Sequence, residues 1–418
     1  MISYKDNSAI LLILSRGILG FCAFLSIRVI SEILGNDQIE SLGVIQSIVG
    51  IFSLTILWPV GTYLNQKVLG IFDAFKFKSL IKSFLIFILM CMAPLSVLIF
   101  HIWNIYIALA VVIFLVGQGT LQFLVPILNV TGYVKEFSLY TIYYSILALI
   151  LSVILTLVVS ASAQLWIIGQ SLAFLLVAIA AYSKILSFFP GQSSSLKFFN
   201  RDNALKIGKF SLPLLILSVA NWFVSFSPRI IPNLVNPQND YAGYVIFGAL
   251  SLGVFGIIEV LISQWYGPRL LRSVHALKTN IEYFNEFERY WKNCSLILLL
   301  ALVCIFIFID VIIKFGVDAR FLNLKTLFLY FICIDFLRVQ TYFSYQIFNL
   351  LYVGKYILYS LFAALFFETI YIAVFHNFEV IGLIENMLPL ILSFQIFFLG
   401  SLYLSYWHIK NNIEIKII

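Results

Sequence analysis

Charge is what this sequence has least of. Only 11% of its 418 residues are Asp, Glu, Lys or Arg, while 62% are hydrophobic, and the mean hydropathy is +1.03. A water-soluble fold does not carry long apolar runs from end to end, so a soluble enzyme or binding module is excluded. Cysteine is equally sparse. Cys22, Cys91, Cys294, Cys304 and Cys333 fall in or beside different hydrophobic segments, with no CxxC and no His-paired cluster. That argues against a disulfide framework and a metal site and leaves the cysteines as packing residues. His101, His275, His376 and His408 are scattered at segment ends, and neither HExxH nor GxSxG occurs. No catalytic constellation emerges. The absence of GxxxxGK[ST] removes ATP as a power source through that motif, and Gly117-Gln118-Gly119 is only a fragment of a glycine fingerprint.

What fills the chain is hydrophobic segments. A helical span needs roughly 20 apolar residues, and segments of this kind fall at 8–33, 40–64, 80–101, 105–130, 137–160, 164–186, 207–236, 241–269, 290–312, 323–351, 355–376 and 380–407. The expectation is an all-α polytopic membrane protein with twelve transmembrane helices. The first segment carries two arginines and ends in Glu32 rather than at a small-residue cleavage site, so it reads as a span and not a removable signal.

The basic residues are unevenly shared between the two sides. Lys67, Lys76, Lys78, Lys82, Lys135, Lys184, Lys197, Arg201, Arg269, Arg272, Lys355 and Lys410 fall on the side of the termini, whereas Lys314, Arg320 and Lys325 fall opposite. By the positive-inside rule both termini are cytoplasmic, and the net charge of +7 reflects cytoplasmic loops rather than a nucleic-acid partner. The segment 187–206, with Pro190, Gly191 and Ser193 to Ser195, is the most linker-like stretch. It divides the chain into an N-terminal lobe, 1–186, and a C-terminal lobe, 207–418, of six spans each. Spans one and seven echo one another, reaching Arg28 and Arg229 respectively, as expected of two related halves.

Nine ionisable residues lie inside the spans: Arg16, Arg28, Arg229, Arg338, Glu32, Glu259, Asp335, Glu368 and Glu385. A charge at membrane depth is expensive and faces a partner or a polar cavity. Guanidinium groups stay charged and match phosphate oxygens, so the arginines point to an anionic substrate. Ser218, Asn221, Ser225 and Arg229 recur every three or four residues and form one stripe on span seven, with Trp222 beside it. Trp222 either stacks a sugar ring or packs between helices. Pro213, Pro228 and Pro232 interrupt this span.

Asp335, Arg338, Tyr342, Tyr345, Gln346 and Asn349 share one face of span ten, where Asp335 and Arg338 either line a cavity or pair locally. Arg16 and Arg28 are roughly 18 Å apart along their helix and cannot clamp one phosphate together. Arg28 also has Glu32 four residues on, as a local partner. Glu259, Asp335 and Glu368 are the candidates for coupling to protons or sodium, the first and last because no opposite charge stands three or four residues away on their own helices. Glu385 lies near the outer end of its span. No cofactor is expected.

The arginine-bearing first span, Leu34-Gly35 followed by Leu42-Gly43, Leu212-Pro213-Leu214 leading to Arg229, and Tyr241-Ala242-Gly243-Tyr244 together resemble the Wzx-type O-antigen flippases of the multidrug/oligosaccharidyl-lipid/polysaccharide exporter (MOP) superfamily. Relatives often carry an acidic residue before the span-seven arginine, where this chain has Pro228. The resemblance implies a MATE-like arrangement of two six-helix lobes around a central cavity. It also implies translocation of undecaprenyl-pyrophosphate-linked oligosaccharide across a bacterial inner membrane by alternating access, alongside other polysaccharide-assembly membrane proteins. Arg28 and Arg229, with Arg16, Arg338, Trp222, Asn221 and Ser225, would then meet the substrate. Two alternatives stand beside it. An O-antigen polymerase or ligase is disfavoured by the short external connections, and a drug/cation antiporter of the same superfamily by the arginines.

Overall fold

In hydrocarbon every backbone N–H and C=O needs an internal partner, so apolar segments of this length have helix as their solution. The computed structural model describes residues 6–57, 59, 61, 86, 105–130, 132–188, 201–235, 241–276, 280–350, 355–375 and 387–412, and no strand occurs among them. The helices are α1 (Asp6–Ile33), α2 (Asn36–Phe52), α3 (Ile105–Val130), α4 (Val134–Val158), α5 (Ala163–Phe188) and α6 (Arg201–Val235). They continue as α7 (Ala242–Ala276), α8 (Asn280–Ile307), α9 (Ile309–Gly316), α10 (Lys325–Leu350), α11 (Lys355–Phe375) and α12 (Met387–Asn412). All are long except α9. Eleven of the twelve expected spans coincide with a long helix; the segment 80–101 lies, apart from Ile86, outside the described residues, as do much of 187–206 and Glu385.

Among the described residues nine helices are long and apolar enough to cross a bilayer, which makes the chain a multi-pass membrane protein. The other two long helices, α6 and α10, bear Arg229 and the Asp335–Arg338 pair. The outward faces of the membrane-crossing helices fit a lipid solvent. Leu157, Val158, Ile179, Ile307, Phe366 and Leu404 are large, apolar and exposed.

Contacts gather the chain into two compact units, Met1–Trp222 and Phe223–Ile418, with the border inside α6. In the first unit α5 packs on α3 and α4, and α4 also packs on α1. The seams are built from small residues, as expected where helices cannot rely on the hydrophobic effect to associate. Ser138, Thr141, Ser145, Ser152 and Thr156 form a buried line along α4. Ser152 Oγ donates to the Trp166 carbonyl on α5 at 2.8 Å. Gly169 on α5 lies so close to α4 that an added methyl would stand 2.5 Å from both the Cα and the N of Ser152. At the end of α2 the backbone widens into a π-helical turn, Ser53–Leu57, where Ser53 Oγ donates to Gln118 Oε1 of α3 at 2.9 Å.

In the second unit α10 is central, packing on α7, α8 and α12, while α11 packs on α12. Gly243, Phe247, Phe255 and Glu259 on α7 meet Leu324, Phe328, Phe336 and Arg338 in the same order, so α7 and α10 run parallel. Polar pairs bridge the remaining seams. Thr341 donates to Gln395 at 3.3 Å and Ser360 to the Ser401 carbonyl at 3.2 Å.

The α4–α5 seam gives a direct check on this packing. Gly169→Ala forces a methyl into the Ser152 backbone and is expected to cost about 1–3 kcal/mol, read as a lower Tm in detergent. Gly400→Ala, which meets nothing within 4 Å, is expected to change stability by less than about 0.5 kcal/mol.

Candidate functional site

Arg229 is a buried charge with an unsatisfied donor. It sits on α6, 3% exposed, and its Nε is buried without a hydrogen-bond partner. Among the described residues Arg229 forms no ion pair. Its guanidinium lies over the Phe226 ring, 5.1 Å from the centroid. Its other side rests on α7 at Gly248, where an added methyl would stand 2.8 Å from Nε and 3.3 Å from Nη2. Phe331 of α10 closes the same spot, 3.1 Å from that methyl. A methyl at Gly248 would oblige the Arg229 guanidinium to shift. Asp335 and Arg338, one and two turns beyond Phe331, act on Arg229 electrostatically.

Arg338 is bound instead. Its Nη1 donates to Glu259 Oε2 of α7 and its Nε to Asp335 Oδ1, both at 2.9 Å. Its Nη2 is buried with no partner. Glu259, read from the sequence as an acid without a local cation, thus finds one on a neighbouring helix. Asp335 takes the local pairing that its i,i+3 spacing offered. Tyr290, Tyr342 and Tyr345 lie around Glu259. Arg229, Arg338, Glu259 and Asp335 therefore form one largely buried cluster of α6, α7 and α10 whose formal charges cancel.

The other candidates fall elsewhere. Glu368 of α11 is 8% exposed, and Ser393 of α12 stands 2.9 and 2.8 Å from its two oxygens. Ser393 Oγ is also 2.8 Å from the Leu390 carbonyl. A hydroxyl has one proton, so it cannot donate to all three oxygens at once. Glu368 has no cation partner among the described residues. In the first unit Arg16 is 7% exposed, lies 4.9 Å from the centroid of the Phe137 ring and hydrogen-bonds the Tyr144 hydroxyl. Arg28 pairs with Glu32 on its own helix, both partly exposed. Trp222 spends its indole N–H on the Ser47 carbonyl of α2 at 2.6 Å, tying α6 to α2. Asn221 and Ser225 are half-buried along α6, and Ser218 donates to the Leu214 carbonyl of its own helix. No group of three or more His, Cys, Asp or Glu among the described residues is placed to hold a metal ion.

Gly248 and Ser393 escaped sequence reasoning. Glycine is frequent in membrane helices, so nothing marked Gly248 as the seat of an arginine. Ser393 and Glu368 are 25 residues apart, beyond any helical spacing.

The ion cluster has a stability consequence. Arg338→Ala leaves Glu259 and Asp335 buried without their cation and is expected to cost about 3–5 kcal/mol, seen in thermal unfolding of the detergent-solubilised protein. Arg338→Met combined with Glu259→Gln and Asp335→Asn is expected to recover most of that loss. A silent single substitution would contradict the pairing.

No family model matches this chain, and no curated protein matches it by sequence. Solved structures do match over nearly its whole length. A Vibrio cholerae MATE transporter, VcmN, in a point-mutant form, aligns with 14% identity and a TM-score of 0.64, covering 98% of each chain. A MOP-superfamily transporter from Pyrococcus furiosus, described as having a binding pocket of reversed polarity that suggests a different function, aligns with 13% identity and a TM-score of 0.60. An outward-facing multidrug-resistance MATE transporter aligns with 13% identity and a TM-score of 0.59; each of these two comparisons covers 96% of this chain and 94% of the other. At this identity the likeness is one of fold: the chain has the all-helical fold of the MATE-type transporters of the MOP superfamily.

Proposed function

We propose that this protein is an alternating-access transporter that moves an anionic, polyprenyl-pyrophosphate-linked oligosaccharide from the cytoplasmic to the periplasmic leaflet of a bacterial inner membrane. The observation that carries the reading is Arg229: a guanidinium buried in a membrane helix and seated on a glycine, whose Nε has no acceptor among the described residues. A buried unpaired cation is costly, and arginine is matched geometrically to phosphate oxygens. A drug cation has no use for such a group. The resemblance at Leu212-Pro213-Leu214 and Tyr241 to Tyr244 supports the lipid-linked substrate. The reversed pocket polarity described for the Pyrococcus furiosus neighbour is in keeping with more than one class of cargo on this fold. Both termini are cytoplasmic in this proposal, following the lysine and arginine bias of the loops.

Ion coupling falls to Glu368. Glu259 and Asp335 are held by Arg338, whereas among the described residues Glu368 meets a serine hydroxyl and no cation. A buried acid without a cation is suited to exchanging a proton or sodium during the cycle.

The fold also supports a second reading, a drug/cation antiporter, because its neighbours include multidrug transporters, one of them solved in complex with a small-molecule ligand. The two readings part at Arg229.

In a host lacking this chain, the wild type is expected to restore surface polysaccharide. Arg229→Ala is expected to lower export at least about 100-fold, leaving lipid-linked units on the cytoplasmic leaflet while the protein stays in the membrane. Arg229→Lys, a point charge in place of a planar fork, is expected to rescue only in part. Export unchanged by Arg229→Ala would remove the anion from the account, and drug resistance conferred by the wild type would favour the second reading. Glu368→Gln is expected to abolish dependence of transport on the ion gradient while leaving Arg229-dependent binding intact.

A further inference from the structure

The two arginines of the second unit are served very unequally. Two carboxylates converge on Arg338, at 2.9 Å each, and none makes an ion pair with Arg229 among the described residues. Yet both guanidiniums keep a buried N–H without an acceptor, Nε of Arg229 and Nη2 of Arg338. Carboxylate and phosphate oxygens use the same donors with the same planar geometry. A carboxylate already on Arg338 is therefore a rival of any phosphate that approaches it.

Resting on the assignment of Arg229 to anion recognition, we infer that Glu259 is a tethered competitor of the transported anion. It holds Arg338 Nη1 and is displaced when a diphosphate group engages Arg229 and Arg338 together. Affinity and selectivity are then set by the exchange. A singly charged group satisfied by Arg229 gains nothing from evicting Glu259, whereas a ligand with two adjacent anionic groups replaces the lost ion pair with its own.

Geometry selects Glu259 over Asp335 as the group that leaves. Asp335 lies on the same helix as Arg338, three residues away, with a side chain 6% exposed. Glu259 reaches across from α7 on a longer side chain that is 20% exposed. The groups facing Glu259 are Arg338, Tyr342 and Tyr345 of α10 and Tyr290 of α8. Tyr342 and Tyr345, on which Glu259 acts electrostatically, carry hydroxyls that can donate to the carboxylate once it lets go. Asp335 stays on Arg338 Nε, so the arginine is never left without a counter-charge. The outcome runs against the ordinary role of an acid beside an arginine: removing Glu259 strengthens anion binding.

The test uses the full chain in nanodiscs of neutral phosphatidylcholine, titrated calorimetrically with inorganic pyrophosphate, orthophosphate and chloride. Glu259→Gln keeps the side-chain length and an oxygen for Arg338. It is expected to bind pyrophosphate at least about tenfold more tightly than the wild type, by removal of one competing charge, with little gain for chloride. Adding Arg229→Ala is expected to erase the gain. Should Glu259→Gln not fold, Glu259→Asp, which keeps the charge and shortens the reach, is expected to tighten binding in the same direction by a smaller factor. Pyrophosphate binding that is unchanged or weaker in the Glu259 variant, with the wild type still binding through Arg229, overturns the competition alone. No pyrophosphate binding by either folded protein overturns both the competition and the anion reading beneath it.

Discussion

The structure turns on the cost of placing a cation in hydrocarbon. Backbone groups meet that constraint by forming helix, and most side chains meet it by being apolar. Four arginines do not comply, and each is accommodated differently. Arg28 takes a carboxylate one turn away, Arg16 an aromatic face and a tyrosine, and Arg338 two acids from two helices. Arg229 takes a ring and a glycine, and its Nε finds no acceptor among the described residues. That unsatisfied donor, placed where burial makes it costly, is what the proposed anion-binding role of Arg229 rests on.

Around that group the second unit is organised as a parallel pair of helices, α7 and α10. Aromatic contacts such as Phe247 with Phe328 and Phe255 with Phe336 fix their register. The register in turn sets Gly248 against Arg229 and Glu259 against Arg338. Apolar packing thus decides where the charges meet. A slip of one turn, about 5.4 Å, would separate Glu259 from Arg338 and leave both ions buried without each other.

Hydropathy made the helical class and most spans legible, because the bilayer demands long apolar runs whatever they pack against. Local ion pairs were legible too. Arg28 with Glu32 and Asp335 with Arg338 follow from helical spacing alone. What spacing cannot carry is a contact between helices far apart in sequence, and the site depends on such contacts. Glu259 and Arg338 are 79 residues apart, so the acid read as unpaired. Trp222 read equally as a stacking surface or a packed ring, and its indole N–H is engaged by the Ser47 carbonyl 175 residues away. The stripe on span seven marked out Arg229, but its seat on Gly248 belongs to another helix. The six-plus-six division rests on the linker at 187–206, most of which lies outside the described residues.

The most direct measurement is a structure of the protein in lipid determined with an anion that scatters anomalously, such as tungstate. The account predicts anomalous density within hydrogen-bonding distance of Arg229, beside Gly248, lost in Arg229→Ala. A carboxylate or carbonyl of the protein itself found on Arg229 Nε, with no anion at that position, would contradict it.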